Sequence, residues 1–149
     1  MKIYVGSDHA GFELKEKVLL HLSELHYDVE DVGDKVLDPK DDYPQFAFLA
    51  VTKLLGDMDD QAKAILFCSS GQGMCIAANR VHGIRAVVAW NEEIARESRH
   101  EDDANILCLP ARSLGPEMAL VIIDTWLKAP FSGEERHLRR LKEIEEVYG

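Results

Sequence analysis

The segment Cys68–Gly73 (Cys-Ser-Ser-Gly-Gln-Gly) has the clearest potential for chemistry. It follows a short apolar run, and its glycines allow a ligand to approach the backbone closely. The amides of such a turn, with the start of a following helix, favour an anion. Cys68 would lie near that positive end, which favours a thiolate able to act as a base or nucleophile. The alternative is a buried structural cysteine beside an ordinary turn, because a lone Gly-x-Gly is not the dinucleotide-binding fingerprint.

A second candidate segment is Asp8-His9-Ala10-Gly11, which follows the first apolar run of the chain. Histidine is the side chain best suited to bind a phosphate or transfer a proton near neutral pH, so His9 is a candidate for either task. Asp8 has a structural alternative, since an aspartate before a helix accepts hydrogen bonds from its free amides. The residues alone leave both interpretations open.

Two arginines, Arg136 and Arg140, lie one helical turn apart near the C-terminus and share a helix face. Two guanidinium groups on one face can hold a phosphate by forked hydrogen bonds. The alternative is ordinary surface charge paired with neighbouring glutamates. Because the chain as a whole is acidic, this local concentration of arginine favours the anion site more than it would elsewhere.

The segment Arg99-His100-Glu101-Asp102-Asp103 places a histidine beside three carboxylates. Such a group could transfer a proton, or it could be surface charge in a turn between a helix and a strand. Adjacent residues point in different directions, so the spacing does not predict a compact metal cage. We therefore expect no metal site.

These segments are positioned by alternating short β-branched runs and longer amphipathic stretches. The pattern predicts strands at residues 2–6, 27–32, 64–68, 84–89 and 105–109. It predicts helices at residues 12–26, 43–55, 73–81, 92–99, 116–128 and 134–148. The alternation indicates an α/β protein in which helices cover both faces of a five-stranded parallel sheet, as a three-layer α/β/α sandwich. Ligands in such folds bind beyond the carboxyl ends of the strands, where the loops at residues 7–11, 69–73 and 110–112 would lie.

Composition limits the class of protein. The chain has 149 residues, 46% of them hydrophobic and 30% charged, which predicts one folded domain over residues 1–149. The formal net charge of −10 disfavours binding to nucleic acid. The longest charge-free run, residues 64–79, is too short and too polar to cross a membrane. The three cysteines are an odd number without metal-ligand spacing, so we expect free thiols in a reducing cytoplasm.

Taken in order, these segments resemble the family of type B ribose-5-phosphate isomerases, which also includes the galactose-6-phosphate isomerase subunits. The likeness covers nearly the whole chain and lies in the segments Gly6–Phe12, Asp42–Pro44, Cys68–Gly73, Ile76–Arg80, Gly83–Ala86 and Gly133–Arg140. The resemblance implies a Rossmann-like sandwich and a sugar-phosphate substrate without a metal or organic cofactor. It also implies a homodimer, able to pair further into a tetramer, with active sites where two subunits meet and the helix at 134–148 near the partner.

The resemblance assigns roles to individual residues. Cys68 matches the base that moves a proton between C1 and C2 through an enediolate, and Ser70 matches a threonine that assists ring opening or substrate positioning. The remaining matches are the oxyanion cradle and the contacts to sugar and phosphate. The cradle matches Ser69, Gly71, Gln72 and Gly73. The contacts to sugar and phosphate match Asp8 and His9, and Tyr43 matches a residue that lines the substrate-binding pocket. The arginines around the phosphate match Arg112, Arg136 and Arg140, some of them from the partner. A subset of the family has a glutamate base where this chain has Cys75, so Cys68 is the better candidate.

One departure from the family pattern affects the predicted activity. The family has a His-Asn pair before the fifth strand, whereas this chain has Glu101-Asp102, with His100 displaced by one residue. A glutamate is ordinarily ionised at neutral pH and is a poorer acid than histidine unless it is buried. An ionised Asp102 would repel an enediolate. We therefore keep Glu101 and His100 as catalytic candidates and Asp102 as a substrate contact.

Two hypotheses follow from the sequence. The first is an aldose–ketose isomerase acting on a sugar phosphate, with ribose 5-phosphate and ribulose 5-phosphate as the default pair. The second is a phosphosugar-binding homologue with an altered substrate or without isomerase activity, because the ring-opening residues differ. A flavodoxin-like nucleotide or flavin module is the weakest interpretation, since no cofactor loop is evident.

Overall fold

A computed structural model describes residues 1–148 of the chain. The strands are β1 (Lys2–Ser7), β2 (Asp28–Asp31), β3 (Lys63–Cys68), β4 (Ala86–Val88) and β5 (Ile106–Pro110). The helices are α1 (Phe12–Glu24), α2 (Tyr43–Leu55), α3 (Gln72–Ala78), α4 (Glu92–His100), α5 (Pro116–Lys128) and α6 (Glu135–Tyr148). A short 3-10 turn at His9–Gly11 precedes α1.

All strand pairs in the sheet are parallel, in the order β2-β1-β3-β5-β4. The central strand β3 is buried along its whole length, which agrees with its continuous apolar sequence Ala64–Cys68. A strand that is buried on both faces has no need of polar alternation. The five-stranded parallel sheet predicted from the sequence is confirmed.

The core lies in two layers, one on each face of the sheet. Helices α2 and α3 cover one face, with Phe46, Ala50 and Met74 among the buried side chains. Helices α1, α4 and α5 cover the other, where Val18 and Trp126 are fully buried. The Rossmann-like three-layer sandwich is therefore confirmed. None of the helices within residues 1–148 is long and apolar enough to cross a bilayer.

Several element boundaries differ from the predicted ones. Strand β4 pairs with β5 only over Ala86–Val88, and not over the six residues predicted from 84 to 89. Helix α3 ends at Ala78, three residues early, because both side-chain atoms of Asn79 bond to the backbone of Ala86 at 2.8 Å. Helix α1 ends at Glu24 because His26 adopts a positive φ of 63°, which a helix cannot continue.

The topology creates a crevice between β1 and β3. Helix α1 leaves β1 toward one face of the sheet, and α3 leaves the adjacent β3 toward the other. Diverging connections of this kind open a crevice beyond the carboxyl ends of the two strands, which is where doubly wound folds bind ligands. We call this end of the sheet the carboxyl edge and the opposite end, where the strands begin, the amino edge.

Candidate active site

The glycine loop after β3 is held against the end of β5. Cys68 is the last residue of β3 and is 4% exposed. Its carbonyl accepts a hydrogen bond from the amide of Ala111 at 2.9 Å, and the Ser69 carbonyl accepts one from the amide of Arg112 at 3.0 Å. These two bonds bring the backbone of Arg112, predicted as a phosphate contact, directly beside the loop.

Gly71 makes this close packing possible. Its φ is +75°, a left-handed conformation that side chains rarely adopt, and a Cβ there would lie 3.0 Å from the backbone carbon of Leu109. The loop therefore turns sharply at Gly71, and α3 begins at Gln72. The loop amides at residues 69–73 follow the central strand of the sheet, as the sequence predicted.

Tyr43 packs over the start of α3. A Cβ on Gly73 would come within 2.6 Å of the Tyr43 ring, so only glycine leaves room for the ring at this point. Tyr43 begins α2, and 37% of the residue stays exposed. The structure thus brings this predicted pocket residue to the glycine loop from a helix that is distant in sequence.

The Asp8–Gly11 segment lies on the other side of the crevice. A Cβ on Gly11 would lie 2.5 Å from the Cβ of Phe67, so this turn packs directly on β3 beside Cys68. Asp8 Oδ1 accepts hydrogen bonds from the amides of Ala10 and Gly11 at 3.0 and 3.2 Å. The capping role considered for Asp8 is confirmed, and its contact with a sugar stays a prediction. Burial raises the pKa of the Asp8 carboxyl.

His9 is held by Asp41, which the sequence analysis did not identify. Asp41 Oδ1 lies 2.9 Å from the His9 amide and 2.7 Å from ring Nδ1. The available signal was that the loop at residues 34–42 leaves β2 at the carboxyl edge, beside β1. Asp8, His9 and Asp41 each offer one potential metal-ligand atom within 4.8 Å of the others. Because Nδ1 of His9 already bonds Asp41, these contacts are those of a hydrogen-bonded pair.

Two buried hydroxyl groups flank the crevice without a hydrogen-bond partner in residues 1–148. They are Ser7 Oγ at the end of β1 and Ser69 Oγ just beyond the end of β3. A buried polar group that stays unpaired costs about 1–3 kcal/mol. The two hydroxyls are therefore candidate hydrogen-bonding groups for a polar ligand in the crevice.

The thiol of Cys75 is hydrogen-bonded to the backbone. Its Sγ donates to the carbonyl of Ala86 at 3.3 Å and accepts from Nδ2 of Asn79 at 3.5 Å. The pKa of Cys75 lies below its ordinary value, mainly because of a hydrogen bond from Cys108, and burial opposes this shift. These contacts tie α3 to the sheet, which favours a structural role for Cys75. All three cysteines are free, as predicted.

The other predicted residues lie at the amino edge. Helix α4 runs back along the sheet and ends at His100, followed by the exposed residues Glu101 and Asp102. Helix α6 begins beside these residues. The carbonyl of His100 accepts a hydrogen bond from the amide of Ser132 at 2.9 Å, just before α6. The imidazole ring of His100 lies 6.1 Å from the ring of His137 on α6. His100 also lines a cavity of about 560 Å³ between α4 and α5.

The predicted site residues therefore form two groups. The carboxyl-edge group consists of Asp8, His9, Tyr43, Cys68–Gly73 and Arg112. The amino-edge group consists of His100, Glu101, Asp102, Arg136 and Arg140. Asn105, just beyond the second group, bonds the amide of Ala64 near the start of β3. Four strand steps separate Ala64 from Cys68, about 13 Å at 3.3 Å per residue, so one chain does not bring the two groups together.

Arg136 and Arg140 are exposed on α6. Nε of Arg136 bonds the Glu134 carboxylate at 3.0 Å, and both side chains are more than half exposed. Exposed pairs of this kind contribute little, typically about 0–1 kcal/mol. The pairing with a neighbouring glutamate that the sequence suggested is present at Arg136, and it is weak enough to yield to a phosphate.

The fold and the crevice define a doubly wound α/β protein with a candidate ligand site at the switch point of its sheet. Comparison with known proteins gives the particular family. The sequence model described as Ribose/Galactose Isomerase matches residues 3–144, and the chain belongs to this family.

Individual relatives agree with this assignment. The chain is 42% identical over 142 residues to the probable ribose-5-phosphate isomerase B of Mycoplasma pneumoniae, covering 95% of this chain and 91% of the relative. It is similar to the solved ribose 5-phosphate isomerase of Thermotoga maritima, with 46% identity, a TM-score of 0.92 and 98% of each chain covered. It also resembles the Mycoplasma genitalium ribose-5-phosphate isomerase B solved with bound ribulose-5-phosphate, with 39% identity, a TM-score of 0.94 and coverage of 99% and 95%.

Proposed function

We propose that this protein interconverts ribose 5-phosphate and ribulose 5-phosphate, as an aldose–ketose isomerase of its family. One observation carries the proposal for this chain. The buried thiol of Cys68 lies at the end of the central strand, where the glycine loop and the packed turn at Gly11 meet. This is the place in the fold where a small anionic ligand would contact both loops.

The proposed reaction is a proton transfer between neighbouring carbons. After the sugar ring opens, the Cys68 thiolate removes the proton from C2, and the electron pair of that C–H bond forms the enediolate. The thiol then returns the proton to C1, while the proton of the C2 hydroxyl passes to the oxyanion on O1, so that C2 becomes the ketone and C1 carries the hydroxyl. Loop amides at residues 69–73 would stabilise the oxygen that carries the developing negative charge.

A complete site would need two copies of the chain. The carboxyl-edge group supplies the base and the anion loop, whereas the amino-edge group supplies exposed arginines at the far end of the same sheet. We therefore propose a homodimer in which each site combines one group from each copy. Leu138 and Ile144 on α6 are 50% and 66% exposed, and with Leu141 they form an apolar strip suited to contact the partner.

We further infer that the chain is a single domain that works in the cytoplasm. One sheet with two covering layers accounts for its core. Its three free cysteines would stay reduced in that compartment.

A second candidate function rests on Glu101 and Asp102. Both are exposed carboxylates in positions where the family pattern has His-Asn. If they prevent ring opening, the protein would bind a phosphosugar without isomerising it. Steady-state turnover separates the two candidates, because only the enzyme produces ribulose 5-phosphate from ribose 5-phosphate.

The decisive experiment measures ribulose 5-phosphate formation by Cys68→Ser, with Cys75→Ala as the matched control. Loss of a positioned general base costs about 10²–10⁴-fold in rate, so we expect Cys68→Ser to lose activity in that range while still binding the substrate. Cys75→Ala should retain most of the activity. Near-normal turnover by Cys68→Ser would contradict Cys68 as the base, and substrate binding by the natural chain without turnover would favour the second candidate.

A further inference from the structure

We propose that Asp41 is a positioning residue, which fixes the His9 ring and maintains it as an imidazolium so that Nε2 donates a hydrogen bond to the substrate phosphate. This inference rests on the proposed function, because it describes how that site would hold a phosphorylated sugar. Asp41 itself would not touch the substrate.

The geometry at His9 is unusually restrictive for a half-exposed side chain. A single carboxylate oxygen, Oδ1 of Asp41, accepts from both the His9 amide at 2.9 Å and ring Nδ1 at 2.7 Å. Two bonds to one oxygen fix both the start of the side chain and the rotation of its ring. Since Nδ1 bonds Asp41, the opposite ring nitrogen, Nε2, is the one left to bind a ligand.

The side chains of Asp41 and His9 differ in burial, and so they can have different roles. The Asp41 side chain is 3% exposed, whereas that of His9 is 40% exposed. Oδ2 of Asp41 is buried and has no hydrogen-bond partner within residues 1–148. A buried carboxylate needs a compensating charge. The ring of His9 can supply that charge, which makes the cationic form of His9 the natural partner of Asp41.

The electrostatics of the surrounding elements act in the same direction. The hydrogen bond to Asp41 is the main reason that the pKa of His9 lies above its ordinary value, and burial opposes it. Asp8, in the same turn, adds a further negative charge facing the ring. Behind Asp41, the pKa of Asp34 is raised by its interaction with the Asp41 carboxylate and by the nearby Asp38.

The ionised form of Asp41 is consistent with a cationic ring on His9. Burial raises the pKa of Asp41, but the hydrogen bonds from His9, together with the interaction with Asp34 and the charge of His9, bring it below the ordinary value. A lowered pKa keeps the Asp41 carboxylate ionised beside the His9 ring. The Asp34 carbonyl is fixed by Nζ of the buried Lys15 at 2.9 Å, which holds this loop in place.

The sign of the pH dependence follows from the raised pKa of His9. The contribution of His9 to phosphate affinity should be complete at low pH and fall as the pH rises through the pKa of His9 in the folded protein. Asp41→Asn keeps an oxygen that accepts from the amide and from Nδ1 but removes the negative charge. The pKa of His9 should then fall, and phosphate affinity should be lost at a lower pH than in the natural protein.

The test follows the His9 ring by NMR in the full chain, with inorganic phosphate as the probe, and uses Asp38→Asn from the same loop as the control. Asp41→Asn should lower the titration midpoint of His9. Phosphate should bind several-fold more weakly to Asp41→Asn at pH 8, because less of the His9 ring is then cationic, with little change at pH 6. In turnover, KM should rise and kcat should stay near its normal value. Asp38→Asn should match the natural protein in each measurement.

Several results would overturn the proposal. It fails if the His9 midpoint is unchanged in Asp41→Asn, or if phosphate binding weakens equally at both pH values, as a merely structural defect would produce. It also fails if phosphate does not perturb the His9 ring in the natural protein. These measurements need no turnover, so a chain that binds phosphate through His9 but does not isomerise would contradict the proposed function and leave this inference standing.

Discussion

Two cysteines on neighbouring elements have different surroundings, and this difference is the reason for proposing Cys68 as the base. Cys75 donates to the carbonyl of Ala86 and receives a hydrogen bond from Asn79. Cys68 lies at the last position of β3, where the chain turns into the glycine loop. A base must reach the substrate, so its place beside the crevice matters more than thiol chemistry alone.

A residue-level prediction concerns Glu101, where the family pattern has histidine. Histidine exchanges protons near neutral pH, so Glu101→His should open the ribose ring more readily and raise kcat/KM for ribose 5-phosphate. Stopped-flow or coupled assays measure this change. Glu97→His, one turn earlier on α4, provides the control and should leave kcat/KM unchanged. An equal rate for Glu101→His and the natural chain would count against placing Glu101 at the ring oxygen.

At the scale of elements, the site depends on how tightly short segments pack against β3. Gly11 lies so close to Phe67 that an added Cβ would meet its Cβ at 2.5 Å and its carbonyl oxygen at 2.8 Å. The turn from Asp8 to Gly11 therefore has little freedom to move. This contact fixes where His9 stands relative to Cys68.

The matching prediction is that Gly11→Ala both destabilises the fold and disturbs the site. Overpacking of this kind costs about 1–3 kcal/mol, and the displaced turn should weaken phosphate binding through His9. Thermal unfolding and phosphate titration measure the two effects. Gly115→Ala is the control, because its φ is −68° and the nearest atom to an added Cβ lies 3.7 Å away. A Gly11→Ala protein as stable as Gly115→Ala would refute the packing argument.

At the scale of the whole molecule, charge and topology both favour an active site formed by two copies of the chain. The net charge of −10 repels a phosphorylated substrate at long range, so local arginines must offset it. Arg112 lies beside the glycine loop, but Arg136 and Arg140 stand at the opposite edge of the sheet from Cys68 in the same chain. Association of two copies is the arrangement that would place them around one substrate.

Subunit complementation tests this arrangement. Cys68→Ser and Arg140→Ala should each be severely impaired alone. If the two residues come from different copies, mixed dimers contain one intact site, and random exchange should restore about a quarter of the natural activity. Refolding the two variants together and assaying ribulose 5-phosphate gives the answer.

The control for complementation pairs Cys68→Ser with His9→Ala, both in the carboxyl-edge group. Because these residues would belong to one site within one chain, their mixture should show no more activity than the average of the two parents. Restored activity in this control, or its absence with Arg140→Ala, would contradict the two-copy site.

Much of the fold and part of the site could be predicted from the sequence. Apolar runs such as Ala64–Cys68 and the glycines that follow them act over a few residues, so they predict strands and the loops that leave them. The parallel sheet then places those loops at one edge. Boundaries were less accurate where a side chain intervened, as Asn79 does by ending α3 and bonding Ala86.

By itself the sequence determined the alternation of strands and helices, the loops at the carboxyl edge and the motifs that carry the family resemblance. Only the tertiary structure decided that Asp41 bonds His9 across 32 residues of sequence, and that the two groups of site residues stand at opposite edges of the sheet. The physical reason is the sequence separation over which each kind of interaction acts. Periodicity and turn chemistry act between near neighbours, whereas these contacts depend on strand order and on the direction in which each helix returns.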